Sequence, residues 1–235
     1  MIQPATIQRN LESVRRRMAE AARKSGRAPD QVKLVAVTKT VGLEEIRALA
    51  ELGVRDCGEN RVQEALRKIE ALKDLDADWH MIGRVQTNKA NKVAGRFALI
   101  HSVDSVRLAQ ALDRAAERLN GVHVDALIEV NVSGEESQGG LQPDELSAAL
   151  NEIGALPLVR IVGLMTMAPI VEDPEAARPS FRRLRELRDK CAKEAPANVD
   201  LRHLSMGMTQ DFEVAIEEGA DIVRIGTALF RACAP

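Results

Sequence analysis

The chain has 235 residues, of which 45% are apolar and 29% charged, and its formal net charge is -2. This composition is typical of an ordinary globular protein, and the small net charge gives no electrostatic case for binding nucleic acid or an anionic membrane. No apolar run is long enough to span a bilayer, and the three cysteines are spaced too widely to indicate a disulfide framework or a zinc site. We expect one domain, residues 1–235, in the cytoplasm.

The apolar residues predict helices and strands in alternation. Residues 5–24 carry one apolar stripe at helical spacing, formed by Ile7, Leu11, Val14 and Met18. A strand that begins at Leu34 is predicted to be buried on both faces, because small or apolar residues run through it without a break. Asp104 is predicted to cap the helix after the fourth strand. The other predicted strands are 54–59, 79–83, 97–100, 126–132, 161–165, 201–204 and 222–225.

This order of elements predicts the fold. About eight strands, each except the last followed by a helical pattern, favour a (β/α)8 TIM-type barrel with an extra N-terminal helix over an open doubly wound sheet. The length of the chain is common among such barrels. No Gly-x-Gly-x-x-Gly motif follows the first strand, which weakens the case for a dinucleotide-binding domain.

Lys39 stands between two threonines at the end of the first predicted strand. Burying an ammonium group costs free energy unless the group is paired or loses its proton. A lysine that leaves a buried strand is therefore a candidate amine nucleophile that can form a Schiff base with a carbonyl. Taken alone, a lysine in this position more often extends to solvent from the strand end.

The ends of the last two predicted strands are rich in glycine and hydroxyl residues. Ser205 to Thr209 leads into a helix, and Gly226-Thr227 follows the eighth strand. Backbone N–H groups in such loops often hold a phosphate in barrels, although two ordinary turns that need glycine explain the residues equally well. Lys39 on the same face favours the phosphate site, because an amine and a phosphate cradle together suit a phosphorylated aldehyde.

Other residue types limit the chemistry. The chain has no tyrosine, so by itself it cannot supply a phenolic general acid or base. His101, His123 and His203 lack the spacing of metal ligands and are predicted to be structural.

A series of motifs, taken together, resembles the pyridoxal phosphate homeostasis protein family, whose members are single-domain relatives of the alanine racemase barrel. The resemblance runs from about residue 30 to the C-terminus. Its motifs, in chain order, include Val37-Thr38-Lys39-Thr40, Gly58-Glu59-Asn60, Trp79 to Gly83, Gly163 to Met167, Leu204 to Met208 and Val223 to Gly226.

The resemblance implies that pyridoxal 5'-phosphate is the cofactor and is held as an internal aldimine on Lys39. A charged arginine facing the pyridine nitrogen would disfavour protonation of that nitrogen and make the ring a poorer electron sink. The other implied contacts are Ser205, Gly226 and Thr227 at the phosphate, Asn60 and Met206 near the ring, and Arg224 at the pyridine nitrogen.

Two positions depart from the family pattern. Arg61 stands where an aromatic residue is usual, and Gln138 stands where the Ser-Gly-Glu loop usually carries a lysine. That lysine is thought to help deliver or accept the cofactor, so the second departure bears on cofactor exchange.

The resemblance implies a cytosolic carrier or regulator of pyridoxal phosphate, active in vitamin B6 homeostasis, with little or no turnover of its own. We expect a monomer, with apo forms of pyridoxal-phosphate-dependent enzymes as candidate partners. Racemisation would need a second acid or base across the cofactor from the lysine, and the chain has no tyrosine to supply it. Two alternatives stay open: a pyridoxal phosphate enzyme, such as an amino-acid racemase, that uses His80 or another strand-end group, and a Schiff-base aldolase that acts on a sugar phosphate without a cofactor.

Overall fold

The structure is a computed structural model that describes residues 2–135, 138–169 and 171–231. Its strands are β1 Lys33–Val37, β2 Asp56–Glu59, β3 Asp78–Met81, β4 Leu99–Val103, β5 Val124–Glu129, β6 Val159–Met165, β7 Val199–Ser205 and β8 Ile222–Ile225. These strands are parallel and pair in chain order, and β8 pairs with β1, so the sheet closes into a barrel. The predicted (β/α)8 TIM-type barrel is confirmed.

Helices follow the strands around the outside of the barrel. They are α1 Pro4–Lys24, α2 Leu43–Glu51, α3 Val62–Ala71, α4 Ala90–Val93, α5 Val106–Glu117, α6 Leu146–Gly154, α7 Arg178–Cys191, α8 Phe212–Glu217 and α9 Thr227–Phe230. Short 3-10 turns occupy Pro29–Gln31, Thr87–Lys89 and Pro174–Ala177. The sequence pattern predicted no helix after the last strand, and this was wrong, because α9 begins directly after β8. Four residues are too few to show a helical periodicity.

The predicted N-terminal helix is confirmed as α1. Proline suits its first turn, where the backbone N–H has no helical acceptor. The apolar stripe of α1 is buried, and the helix packs against α2, α8 and α9. Asn10 on this helix donates hydrogen bonds to the carbonyl oxygens of Leu229 and Arg231, both at 2.9 Å. Within the described residues, no helix, α1 included, is both long and apolar enough to cross a membrane.

The prediction that Asp104 caps α5 was wrong by one residue. Ser105 is the N-cap, and its hydroxyl oxygen accepts a hydrogen bond from the Leu108 N–H at 3.3 Å. The Asp104 carboxylate instead pairs with Arg84 at 3.2 Å and accepts a hydrogen bond from the Ser105 hydroxyl at 3.0 Å. Aspartate and serine are both good capping residues, so the sequence alone did not separate two adjacent candidates.

Side chains along the strands alternate between the barrel interior and the layer under the helices. Val35, Leu127 and Ile222 belong to one buried cluster, which fills the interior. Val223 belongs to the larger core between the barrel wall and the helices. Because the next residue turns inward again, Arg224 lies inside the barrel near its carboxyl end.

A tight contact between β6 and β7 gives a first prediction. A Cβ atom at Gly163 would lie 2.7 Å from the carbonyl carbon of His203, so one strand must move to admit alanine. We expect Gly163→Ala to lower the free energy of unfolding by about 1–3 kcal/mol, as overpacking does in cores. Gly139→Ala is the matched control, because a Cβ there meets nothing closer than 3.6 Å. Urea denaturation measures both, and equal stabilities would contradict the contact.

Candidate functional site

A cavity of about 290 Å³ lies at the carboxyl ends of the strands. Its wall includes Lys39, Arg224, Gly226 and Thr227, four of the residues that the sequence predicted as cofactor contacts. The volume is close to the lower end of the range for small-molecule sites, roughly 300 Å³. This face of the barrel is also where the active sites of such folds occur.

Lys39 follows β1 by two residues, in a turn that exposes its side chain. Within the described part of the chain, its amine has no hydrogen-bond or ion-pair partner. An amine in a cavity wall without a partner is open to a ligand that carries a carbonyl or an anionic group.

The residue before Lys39 is fixed by a buried ion pair. Lys68 donates to Glu59 Oε1 at 2.7 Å and to the Thr38 carbonyl oxygen at 2.7 Å. The Thr38 hydroxyl donates to the same Glu59 oxygen at 2.6 Å. Because Glu59 ends β2 and Lys68 lies on α3, three elements hold the backbone that precedes Lys39. This network contributes orientation, since a buried ion pair by itself adds little net stability.

Backbone donors from two loops line the same cavity as Lys39. Among the described residues, the N–H groups of Thr209, Gln210, Gly226 and Thr227 donate to no protein acceptor, and all four residues line the cavity. The N–H of Ala228 donates to Thr209 Oγ1 at 3.3 Å and joins the two loops. Free N–H groups in adjoining loops are the usual protein cradle for a phosphate.

Gly226 permits the close approach of this cradle to β1. A Cβ atom at this position would lie 3.2 Å from the Cβ of Val37 and 3.3 Å from its carbonyl oxygen. A larger residue would therefore push the loop after β8 away from the strand that leads to Lys39.

Arg224 forms the buried base of the cavity. Its Nη1 donates to Ser205 Oγ at 2.6 Å, and its Nη2 donates to the Thr166 carbonyl oxygen at 2.9 Å. Burial lowers the pKa of Arg224 to about 10, and Glu129 and Asp211 oppose this effect. At neutral pH the guanidinium therefore keeps its charge and acts only as a donor.

Three other predicted contacts lie outside the cavity wall. Ser205 is buried, with its hydroxyl bonded to Arg224. Met206 is also buried, and its N–H donates to the Ile222 carbonyl oxygen at 3.1 Å. Asn60 is exposed and follows β2.

Sequence reasoning missed several residues of the wall, most of them apolar or on the loop after β6; they include Pro169, Val171, Pro174, Gln210 and Asp211. Asp211 is the one that bears on chemistry. Its Oδ1 accepts the Met208 N–H at 2.6 Å, and burial raises the pKa of its carboxyl although this bond and Arg224 oppose the rise. An aspartate directly before an apolar helix start was the available signal.

The loop that carries Gln138 is held by its own polar groups. Asn131 Nδ2 donates to the carbonyl oxygens of Glu135 and Gln138, at 2.8 and 3.2 Å. The Gln138 side chain bonds Ser133 and Glu135, and it does not line the cavity.

Comparison with known proteins gives a family. The model of the alanine racemase N-terminal domain family matches residues 2–233. A pyridoxal phosphate homeostasis protein from Aquifex aeolicus (strain VF5) is 51% identical over 220 residues, which are 94% of this chain and 95% of that protein. The chain belongs to the pyridoxal phosphate homeostasis protein family.

Two solved structures are similar to this chain in both sequence and fold. The protein PipY of Synechococcus elongatus PCC7942, solved with PLP bound, is 38% identical, with a TM-score of 0.81 over 91% of this chain and 100% of that one. An unknown protein from Bifidobacterium adolescentis is 39% identical, with a TM-score of 0.90 over 97% of this chain and 95% of that one.

The ion pair behind Lys39 gives a second prediction. Lys68→Met leaves the Glu59 carboxylate, whose side chain is 1% exposed, without its cation. We expect the free energy of unfolding to fall by about 3–5 kcal/mol, because an unpaired buried charge is strongly destabilising. Lys73→Met is the control, since it breaks a pair whose side chains are 75% and 78% exposed and should change little. If urea denaturation finds equal losses for the two variants, the buried pair does not hold this turn.

Proposed function

We propose that this chain binds pyridoxal 5'-phosphate covalently through Lys39 and acts in vitamin B6 homeostasis as a carrier or regulator of that cofactor. The observation that carries the proposal is one cavity that contains a free amine, four unsatisfied backbone N–H groups and a buried arginine. The Aquifex relative's name and the PLP bound to PipY support it.

Each part of the cavity suits one part of this cofactor. Pyridoxal phosphate supplies an aldehyde, a phosphate and a pyridine ring. We assign capture of the aldehyde to Lys39, whose nitrogen would bond to the carbonyl carbon while the carbonyl oxygen leaves as water. Gly226 and Thr227 would hold the phosphate through their N–H groups and the Thr227 hydroxyl, and Arg224 would face the pyridine nitrogen.

Three further predicted contacts belong to the proposal as well. Asn60, Ser205 and Met206 are proposed neighbours of the cofactor, but none of them lines the cavity. Apo forms of pyridoxal-phosphate-dependent enzymes are proposed as recipients of the cofactor, and we propose a cytosolic monomer of one domain.

An amino-acid racemase is the second candidate. One observation favours it, because Asp211 lines the same cavity as Lys39 and burial raises the pKa of its carboxyl, which could then hold a proton. Against it, the Asp211 Oδ1 atom is engaged by the Met208 N–H. Chiral analysis of alanine and other amino acids after long incubation with the loaded protein separates the candidates. We expect no racemisation by the wild-type protein. Racemisation that the wild type shows and Asp211→Asn abolishes would establish the enzyme instead.

The covalent site is tested by Lys39→Ala. We expect purified wild-type protein mixed with pyridoxal phosphate to gain a visible band that borohydride removes, and peptide mapping should find the adduct at Lys39. The variant should fold normally and lack this band, because its side chain has no amine. Lys92→Ala, which removes an exposed lysine far along the chain from β1, should keep the band. A reducible band that persists in Lys39→Ala would assign the Schiff base to another lysine and contradict the proposal.

The phosphate cradle is tested by Thr227→Val. This change removes a hydroxyl and keeps the size of the side chain. Hydrogen bonds to a charged group contribute roughly 1.5–3 kcal/mol, so we expect the Kd to rise by about 10- to 150-fold. Equilibrium dialysis measures the Kd, and Thr87→Val is a control of the same chemistry outside the cavity. An unchanged Kd would remove the Thr227 hydroxyl from the site.

A further inference from the structure

A continuous hydrogen-bond chain runs through the barrel interior behind the cavity. From Arg224 Nη1 it passes to Ser205 Oγ at 2.6 Å and then to His101 Nδ1 at 2.9 Å. His101 Nε2 lies 2.9 Å from His80 Nδ1, and His80 Nε2 lies 2.9 Å from Asp56 Oδ1. Ser205, His101 and His80 are all buried. We name this the polar chain.

The far end of the polar chain lies at the amino ends of the strands. Asp56 begins β2, and its Oδ1 also accepts from Lys33 Nζ at 2.7 Å. Asp56 and Lys33 line a second cavity, of about 480 Å³, between α1 and the barrel. The polar chain therefore joins the two ends of the barrel.

The two end groups fix the direction of the hydrogen bonds that they make. Arg224 can only donate, so Ser205 Oγ accepts from it and has its own proton left to give. Burial would raise the pKa of Asp56, but hydrogen bonds from His80 and Lys33 outweigh burial and hold that pKa below its usual value. The ionised Asp56 can only accept, so His80 carries a proton on Nε2.

The directions of the two hydrogen bonds of His101 follow from these ends when His80 is neutral. With its proton on Nε2, neutral His80 accepts at Nδ1, so His101 must donate from Nε2. His101 then accepts at Nδ1 from the Ser205 hydroxyl. A cationic His80 would reverse the two bonds of His101, and the Ser205 proton would have no acceptor in the described part of the chain.

The surroundings also favour a neutral His101. Burial lowers the pKa of His101 well below its ordinary value, and the positive charges of Arg224 and Lys33 add to this effect. All protons of the polar chain therefore point from Arg224 toward Asp56.

We propose that His80, His101 and Ser205 are positioning residues that orient the Arg224 guanidinium and carry the influence of the Asp56 charge to it across the barrel. The inference rests on the proposed function in one respect, because it takes the ring of pyridoxal phosphate to be the group that Arg224 faces. It assigns the Ser205 hydroxyl to Arg224 and not to the phosphate. A change of charge at the amino end of the barrel would then alter the binding of a ligand at the carboxyl end.

The first test needs no cofactor. Long-range ¹H–¹⁵N correlation spectra of the uniformly labelled apoprotein at pH 7 report the tautomer of each imidazole, and single His→Gln variants assign the four histidines. We expect His80 and His101 both to be neutral, with the proton on Nε2. A proton on His101 Nδ1, or an imidazolium at either residue, would overturn the direction of the polar chain.

The second test uses Asp56→Asn, which keeps the size of the side chain but removes its charge and adds a donor. We expect the tautomers of His80 and His101 to change, the visible band of bound pyridoxal phosphate to shift, and its Kd to rise several-fold. Asp221→Asn is the matched control, because Asp221 Oδ2 bonds His203 Nδ1 at 2.6 Å outside the polar chain. It should leave band and Kd unchanged.

Ser205→Ala is a second variant that interrupts the polar chain, and it serves if Asp56→Asn does not fold. It cuts the polar chain next to Arg224 and should shift the band in the same way while the proton of His80 stays on Nε2. If wild-type protein binds no pyridoxal phosphate, the proposed function fails and the tautomer spectra still decide the polar chain. If both variants keep the wild-type band and Kd, the positioning role fails and the proposed function stands.

Discussion

The parallel pairing of β8 with β1, from Lys33 opposite Ile222 to Ala36 opposite Ile225, closes the barrel and unites two distant parts of the sequence. This register sets Val35 opposite Arg224, so both side chains turn to the interior. It also brings Gly226 against Val37, two residues before Lys39. A shift by one residue would turn Arg224 outward and separate the amine from the donors of the last loops. The candidate site is thus a property of one strand register.

Buried polar networks lie on both faces of the barrel wall. The polar chain lies in the interior, and the Glu59–Lys68 pair lies between β2 and α3. Within the described residues, every buried side-chain nitrogen and oxygen has a hydrogen-bond partner. Such a network adds less stability than apolar packing would, but a fully satisfied network has one low-energy arrangement. The fold uses it to hold Thr38 and Arg224 in fixed positions, and these are the residues on which the cavity depends.

Sequence patterns predicted the parts of this protein that depend on local order. The strand at Leu34 and the stripe of α1 each depend on a short stretch of sequence, and the alternation of strands and helices is a succession of such stretches. All three are confirmed. The partners of the histidines could not be predicted in this way. His101 and Ser205 are 104 residues apart, and their contact depends on the closed barrel and on which face each strand presents. The sequence could therefore call His101 structural, but it could not show that its ring reaches toward Arg224.

The contact between Asn10 and the carbonyl oxygens of Leu229 and Arg231 has a consequence for local unfolding. It connects α1, which lies outside the barrel, to the turn that begins at Thr227, and α1 also packs against α9. Proteins open locally in cooperative units, so a fluctuation that detaches α1 would also loosen the loop after β8. The packing of α1 would thereby set how often one wall of the cavity opens, although no described residue of α1 lines that cavity.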